Sequence, residues 1–315
     1  MKTILITGAG GFIGRELVIK LSENKKNSIL AVDNNIRGNL NSIIKKKNIT
    51  THNIDLTNKI KLEKLFKEQK ITDCFHLAAI NGTKNFYNKP DIVLDVGLKG
   101  TLYLLELVRK YNLKKFIFFS SSEVYQKPIL IPTKETEPLK IPDIFNPRFS
   151  YGGSKIIGEL ITVNYLRESK TKYNIIRPHN VYGPNMGSDH VLPELITKLK
   201  NYKKKLKIIG TGNDSRSFIY IDDAVAATLK VFYKGASNQI YNIGSNKEFK
   251  IKKIIKILSK ILNKSIKIQT GARHVGSVSR RKPCIKKIKF LGHKNKISFI
   301  QGLSKMLKFY YYNEN

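Results

Sequence analysis

Hydrophobic residues fall along this chain in two rhythms. Short runs with little polar alternation occur at 3–7, 28–33 (Ser-Ile-Leu-Ala-Val-Asp), 73–79 (Asp-Cys-Phe-His-Leu-Ala-Ala), 115–121 (Lys-Phe-Ile-Phe-Phe-Ser-Ser) and 173–177. Such runs predict strands covered on both faces. Between them apolar positions recur three and four apart, from Phe12 to Leu21, over 59–69, over 92–111 (Leu94, Leu98, Leu102, Leu105, Val108) and over 151–167. That spacing predicts helices with one face on a core. Strands alternating with helices predict an α/β fold, a doubly wound parallel sheet of the Rossmann type.

The second half is less regular. Pro178, Pro184 and Pro193 predict a loop-rich stretch. Residues 217–233 predict a strand running into a helix that starts after Asp222-Asp223 as a cap, and 250–262 a basic amphipathic helix. The tail from Phe309 to Asn315 is expected to fray, with Tyr310 to Tyr312 able to pack on the final helix. No internal repeat is present.

The 315 residues suit two units, and 41% hydrophobic content with 10% aromatics excludes global disorder. We expect residues 1–176 with 219–245 to form a dinucleotide domain, and 177–218 with 246–315 a smaller mixed α/β lobe. No apolar run approaches the roughly 18 residues of a membrane span, and the N-terminal apolar run is too short for a signal segment. Cys74 and Cys284 stand far apart, giving neither a disulfide framework nor a redox pair, so a reducing, cytoplasmic compartment is expected. No metal site is expected. Lys and Arg number 58 against 23 Asp and Glu, a net charge of +35. The lysines are spread through the chain with abundant Asn and Ile, a compositional bias, and no nucleic-acid-binding signature accompanies them. Neither a nucleic acid nor a membrane is therefore expected as a partner, although a basic surface would steer an anionic nucleotide toward a cleft.

Gly8-Ala-Gly-Gly11-Phe-Ile-Gly14 follows the first strand and opens the first helix. Glycines so spaced allow a tight turn, close approach of backbone to a pyrophosphate and close helix–strand packing. Asp33 ends the second strand, 19 residues past Gly14. Its carboxylate would accept hydrogen bonds from the adenosine ribose and repel a 2′-phosphate, which favours NAD over NADP. Asp55-Leu56 follows the next strand and could meet the adenine, or be an ordinary strand-end turn.

Tyr151-Gly-Gly-Ser-Lys155 puts a phenol and an ammonium at i and i+4 of a helix. A nearby ammonium favours the phenolate, so Tyr151 could serve as a general base while Lys155 also holds the nicotinamide ribose. Ser120-Ser-Ser-Glu123 follows a buried strand, whose C-terminal end borders the ligand crevice of a parallel sheet. On extended backbone Ser121 and Glu123 would share a side.

Together the stretches TGAGGFIG (7–14), HLAA (76–79), SSSEVY (120–125), YGGSK (151–155), RPHNVYGP (177–184), RSFIYIDD (216–223) and RRKPCIKK (280–287) resemble the extended short-chain dehydrogenase/reductase family, in its nucleotide-sugar epimerase, dehydratase and decarboxylase group. The resemblance runs from Thr7 to about residue 308. It implies that Tyr151, Lys155 and Ser121 are catalytic, with Glu123 beside them. It implies NAD contacts from Gly8, Gly11, Phe12, Ile13, Gly14, Asp33, Asn34, Asp55, Leu56, Leu77, Ala78, Ala79 and Lys155. His179 stands where relatives carry an aromatic residue beside the nicotinamide. Ser122, Asn180, His190, Val191, Arg216 and Arg281 match positions that touch the nucleoside-diphosphate sugar, and guanidinium forks suit a diphosphate. Relatives pair as homodimers through the helices near 92–111 and 151–167, for which Leu102, Leu105 and Ile161 are candidate contacts.

Three positions depart from the family pattern. Gly97 replaces an asparagine, Cys284 replaces an aspartate, and Ser122 stands where 4,6-dehydratases place the acid partner of Glu123. The missing acid argues against dehydration. The Ser122-Glu123 pair, Pro147-Arg148 and the RRKP run resemble UDP-glucuronate decarboxylases, whereas Ile80-Asn-Gly-Thr83 does not resemble their proline-rich loop. The expected activity is an NAD-dependent nucleotide-sugar 4-epimerase, with decarboxylase, 4-dehydrogenase or 4,6-dehydratase as alternatives and a non-catalytic binding module as a distant one.

Overall fold

A computed structural model describes residues 2–272, 276 and 278–312. Its centre is a seven-stranded parallel sheet. β1 (Lys2–Thr7), β2 (Asn27–Asp33), β3 (Ile49–Asn53), β4 (Asp73–His76), β5 (Lys115–Phe119) and β6 (Lys172–Pro178) are joined by a last strand, Gln239–Ile243. From one edge the order is last strand, β6, β5, β4, β1, β2, β3. The chain therefore reverses its direction of progress between β1 and β4, where a parallel sheet opens its ligand crevice.

Alternation along each strand builds two cores. Ile4, Ile6, Ile29, Phe75, Ile117 and Ile176 face one side, against α1 (Phe12–Ser22) and the helix Ile221–Lys234. Leu5, Leu30, Val32, Cys74, Phe116, Phe118 and Ile175 face the other, against α2 (Lys59–Glu68) and the long helix Pro90–Lys110. A short helix, Thr83–Asn88, precedes that long one, and Ser150–Tyr165 packs beside it. In chain order we call these three α3, α4 and α5. Gly97 explains the closeness of α4 and α5: a Cβ there would lie 2.7 Å from the Cβ of Ser154. The asparagine of the family pattern would collide with this α5.

Beyond β6 the chain departs from expectation. The stretch read as loop-rich contains a ten-residue helix, Val191–Lys200. Pro193 is its third residue, within the first turn, where a missing N–H costs no intrahelical bond. The Asp222-Asp223 pair does not precede its helix but lies inside the first turn. Asp223 there accepts the backbone N–H groups of Lys296 (2.9 Å) and Ile297 (3.0 Å), tying the C-terminal segment to the sheet half. A three-stranded sheet centres on Ser215–Ser217, with Glu248–Lys250 antiparallel and Arg280–Arg281 parallel to it. This pairing brings Arg281 into register with Arg216. The helix Ile251–Ile261 forms as expected. Residues 308–312 extend the last helix as a wider turn, where the Tyr310 hydroxyl donates to Met186 O at 2.5 Å; 313–315 of the expected tail lie outside the described residues.

Leu105 is fully buried in the core, so it is not available as a contact to a second copy. Leu102 and Ile161 are half-buried, while Ile92, Ile157 and Leu160 are exposed on α4 and α5. Among the described residues no helix is long and apolar enough to cross a membrane, and no cluster of His, Cys, Asp and Glu could hold a metal.

Candidate active site

The C-terminal ends of β1, β2, β4 and β5 open into one cavity of about 450 Å³. The glycine turn forms its floor. Gly8 adopts φ +69°, and a Cβ on Gly14 would come within 2.1 Å of the Gly8 carbonyl oxygen, so neither position accepts a side chain without rearrangement. Gly11 caps α1 without a side-chain hydrogen bond and no acidic residue occupies the first turn, which leaves the helix N-terminus open to an anion. Asp33 at the end of β2 accepts the N–H of Gly10 (3.0 Å) and of Asn35 (2.9 Å). A carboxylate has about four lone-pair sites, so two remain for a ribose. Asp55 accepts from Asn34 Nδ2 (2.8 Å) and from the Thr57 N–H and hydroxyl. Phe12, Ile13, Leu56, Leu77, Ala78 and Ala79 complete this wall. The floor a side chain would fill, the uncapped helix and the spare carboxylate sites fit the adenosine and pyrophosphate of NAD.

The opposite wall carries the titratable groups. Helix α5 begins at Ser150, which places Tyr151 in its first turn and Lys155 one turn later. The Tyr151 ring is buried, stacked on Phe86 with centroids 5.2 Å apart, and bonded to the Ser121 side chain. Burial pushes its pKa up to about 12, against the Ser121 hydrogen bond; Glu123 adds to the rise and Arg37 opposes it. Lys155 Nζ donates to the Phe119 carbonyl at the end of β5 (2.7 Å) and lies 5.8 Å from the Tyr151 ring centre. Burial lowers its pKa to about 8, against the pull of Glu159 one turn further on.

Residues 122–125 form a tight 3-10 turn rather than the extended backbone expected after β5. Ser121 caps it by accepting the Glu123 N–H at 3.1 Å. Ser121, Ser122 and Glu123 all border the cavity as a result. Glu123 forms a two-bond ion pair with Arg281, Nη1 to Oε1 and Nη2 to Oε2 (2.7 Å). Burial alone would raise the Glu123 pKa, but the Arg281 guanidinium, with Arg148 and Arg216 further off, holds it down at about 2. Glu123 is therefore a carboxylate throughout the neutral range.

A second buried network supports this wall. Glu159 accepts from Ser120 Oγ (2.5 Å) and from Arg177 Nε (2.8 Å) and Nη2 (2.5 Å). Arg177 also reaches the Tyr125 hydroxyl (2.8 Å), which donates to Asn242 on the last strand (2.8 Å). The serine segment is thus fixed from behind.

The cavity gathers the expected glycines, Asp33, Asn34, Ser121, Ser122, Glu123, Tyr151, Lys155, Asn180, His190 and Arg281. Three expected residues do not line it. His179 is 2% exposed, with its Nε2 3.3 Å from Asn242 Oδ1, and burial lowers its pKa to about 3. Pro178 and Asn180 on either side do border the cavity, but β6 ends at Pro178, Asn180 takes the left-handed form (φ +40°), and the His179 ring packs toward Asn242 instead. Val191 begins its helix 40% exposed, away from the cavity wall. Arg216 bonds the carbonyls of Ser215 (2.8 Å) and Ser279 (3.2 Å). Sequence reasoning missed Arg37 and Asn81, on loops, and Phe86, on the short helix α3, whose approach to the cavity only the fold determines.

Residues 4–244 match the profile of the NAD dependent epimerase/dehydratase family. A putative UDP-glucose 4-epimerase of Methanocaldococcus jannaschii is 33% identical over 309 residues, covering 96% of this chain and 97% of that protein. A dTDP-D-glucose 4,6-dehydratase of Dictyostelium discoideum is 34% identical over 277 residues, 84% of this chain; the match spans 63% of that protein's length. The crystal structure of a UDP-glucuronic acid 4-epimerase from Bacillus cereus, in complex with UDP-glucuronic acid and NAD, superposes with a TM-score of 0.88 at 29% identity, covering 98% of each chain. The chain belongs to the NAD-dependent epimerase/dehydratase family, in the extended short-chain dehydrogenase/reductase group of nucleotide-sugar enzymes.

Proposed function

We propose that this protein is a nucleoside-diphosphate-sugar 4-epimerase. NAD, when bound, would accept a hydride from the sugar and return it. The chain's own part is to bind, to orient and to move a proton. Tyr151 takes the proton of the sugar hydroxyl and gives it back to the same oxygen after the ring has turned over. Ser121, bonded to the phenol, shares that proton and holds the sugar oxygen. In this structure burial holds the Tyr151 pKa at about 12 and Lys155 does not bring it down as the sequence suggested, so the phenolate must form with the sugar hydroxyl bound. Lys155, 5.8 Å from the ring centre, would then favour it and orient the ribose of the cofactor. Asp33 and the glycine turn hold the dinucleotide, while Asn180, His190 and Arg281 border the space left for the sugar nucleotide.

The observation that carries this reading is the Glu123–Arg281 pair. Eliminating water from the sugar needs a proton donor for the departing hydroxyl, and the carboxyl nearest the phenol is locked as an anion. Its neighbour Ser122 is no acid at neutral pH. Reversible oxidation at C4 needs neither group to donate. Decarboxylation of a uronic acid is the second reading, favoured by the buried Nε of Arg281 at the cavity wall, a donor that Glu123 leaves unpartnered and that suits a substrate carboxylate.

Incubation with NAD and a panel of UDP-glucose, UDP-N-acetylglucosamine, UDP-glucuronate and dTDP-glucose, followed by NMR of the products, separates these outcomes. Inversion at C4 is expected. A pentose with carbon dioxide would establish the second reading, and a 4-keto-6-deoxy sugar would overturn the argument from Glu123. The exposed Ile92, Ile157 and Leu160 on α4 and α5 support a homodimer through that face.

A further inference from the structure

Arg37 has no place in the motifs that identify the family, yet its guanidinium stands in the cavity. The segment that carries it is part of the glycine turn's wall. Asn39 N–H bonds the Gly10 carbonyl at 3.1 Å, and a Cβ on Gly38 would sit 2.6 Å from the Gly10 carbonyl carbon and 2.8 Å from the Gly11 nitrogen. Only glycine at 38 lets this loop lie so close to the turn. From there the Arg37 side chain crosses the cavity. A Cβ on Gly82 would be 3.7 Å from its Nη1 and 3.5 Å from Asp189 Oδ2, and a Cβ on Gly187 3.3 Å from its Nη2. Gly82 and Gly187 thus leave room for the guanidinium, and the 185–190 loop brings the Asp189 carboxylate to its flank.

The direction of the side chain decides what it can grip. The ribose end of the dinucleotide site is marked by Asp33, Asn34 and Asp55. Arg37 instead faces Gly82, Gly187, Asp189 and the Tyr151 phenol, so a 2′-phosphate is not its ligand. On the far side of the cavity Arg281 is already engaged by Glu123. The anion that would lie between the glycine turn and the 82 and 187 loops is the diphosphate of the cofactor.

We infer that Arg37 is a clamp on the cofactor diphosphate, closing it from above while the glycine turn holds it from below. A guanidinium presents two parallel N–H donors to phosphate oxygens, a stronger grip than the turn's neutral N–H groups alone. With Asp189 on its other flank, the same guanidinium links a bound dinucleotide to the 185–190 loop of the substrate lobe. This inference rests on the cofactor site and is independent of which sugar reaction follows.

The test uses the full chain without any sugar nucleotide, with binding followed by titration calorimetry. Arg37→Ala should weaken ADP-ribose and NAD about 10- to 100-fold, the effect of losing a charge-assisted pair of hydrogen bonds. AMP, which has no diphosphate, should bind within about twofold of the wild type, and the thermal midpoint should not move. Arg37→Lys should restore part of the affinity. Unchanged ADP-ribose binding would overturn the inference. So would an equal loss for AMP, which would put Arg37 at the adenosine end. Titration of UDP in saturating NAD distinguishes the other diphosphate: a loss confined to UDP would assign Arg37 to the substrate instead.

Discussion

The half-buried Glu123 and the buried Lys155 are ionisable groups with opposite consequences for stability. Arg281 holds the Glu123 pKa at about 2, below its ordinary 4.5. The pair's contribution is therefore complete above pH 4.5 and lost as pH falls toward 2. At 1.36 kcal/mol per pH unit it amounts to about 3 kcal/mol. Glu123→Gln should lose about that much at pH 7, because Arg281 would be left buried without its counter-ion. Urea denaturation from pH 7 to pH 2.5 checks this: the wild type should approach the variant's stability at the acid end. Lys155 runs the other way. Its pKa is lowered by burial to about 8 from 10.5, so the folded state binds fewer protons between those values and gains stability as pH rises through them. Lys155→Met should raise the thermal midpoint at pH 7 while removing turnover, and the advantage should vanish above about pH 10.5. A variant no more stable than wild type at pH 7 would show that the Phe119 carbonyl bond outweighs the burial.

Helices α4 and α5 show how a single missing side chain sets the position of the Tyr151–Lys155 pair. Tyr151 and Lys155 lie on α5, whose approach to α4 depends on Gly97 facing Ser154. Gly97→Asn should destabilise by about 1–3 kcal/mol, the cost of overpacking a tight contact, and Ser154→Gly in the same chain should recover most of it. Thermal melts of the two variants and the double variant measure the coupling. The element scale is also where the sequence was most readable. Strands 27–33, 73–76 and 115–119 and the helices from Phe12 and Lys59 follow from continuous apolar runs and three-four spacing, since these elements touch the core directly. The helix Val191–Lys200 was not readable, because Pro193 marks both a loop and a first helical turn.

At the scale of the molecule, local spacing sufficed for the geometry of the glycine turn and of the Tyr151–Lys155 pair, each built within one turn and one helix. It did not suffice where separate segments converge. Arg37 meets Gly82 and Gly187 only because three loops close over one cavity, and His179 is turned from that cavity although Pro178 and Asn180 on either side border it. The Glu123–Arg281 pair joins positions 158 residues apart, which no periodicity announces. The basic excess contributes in the same collective way, as a field over the whole surface rather than a motif.

The strand Gln239–Ile243 lies beside β6 at the sheet's margin, and each runs directly into a segment of the smaller lobe that the sequence leads us to propose. Two of the three crossings between the parts, at 176–177 and 245–246, thus leave from neighbouring positions, while the third, at 218–219, leads into the helix Ile221–Lys234 that covers the sheet. Cutting the gene after residue 176 would not yield a self-sufficient half, because the border strand that finishes the sheet is encoded only after the polypeptide has gone out through the lobe and returned.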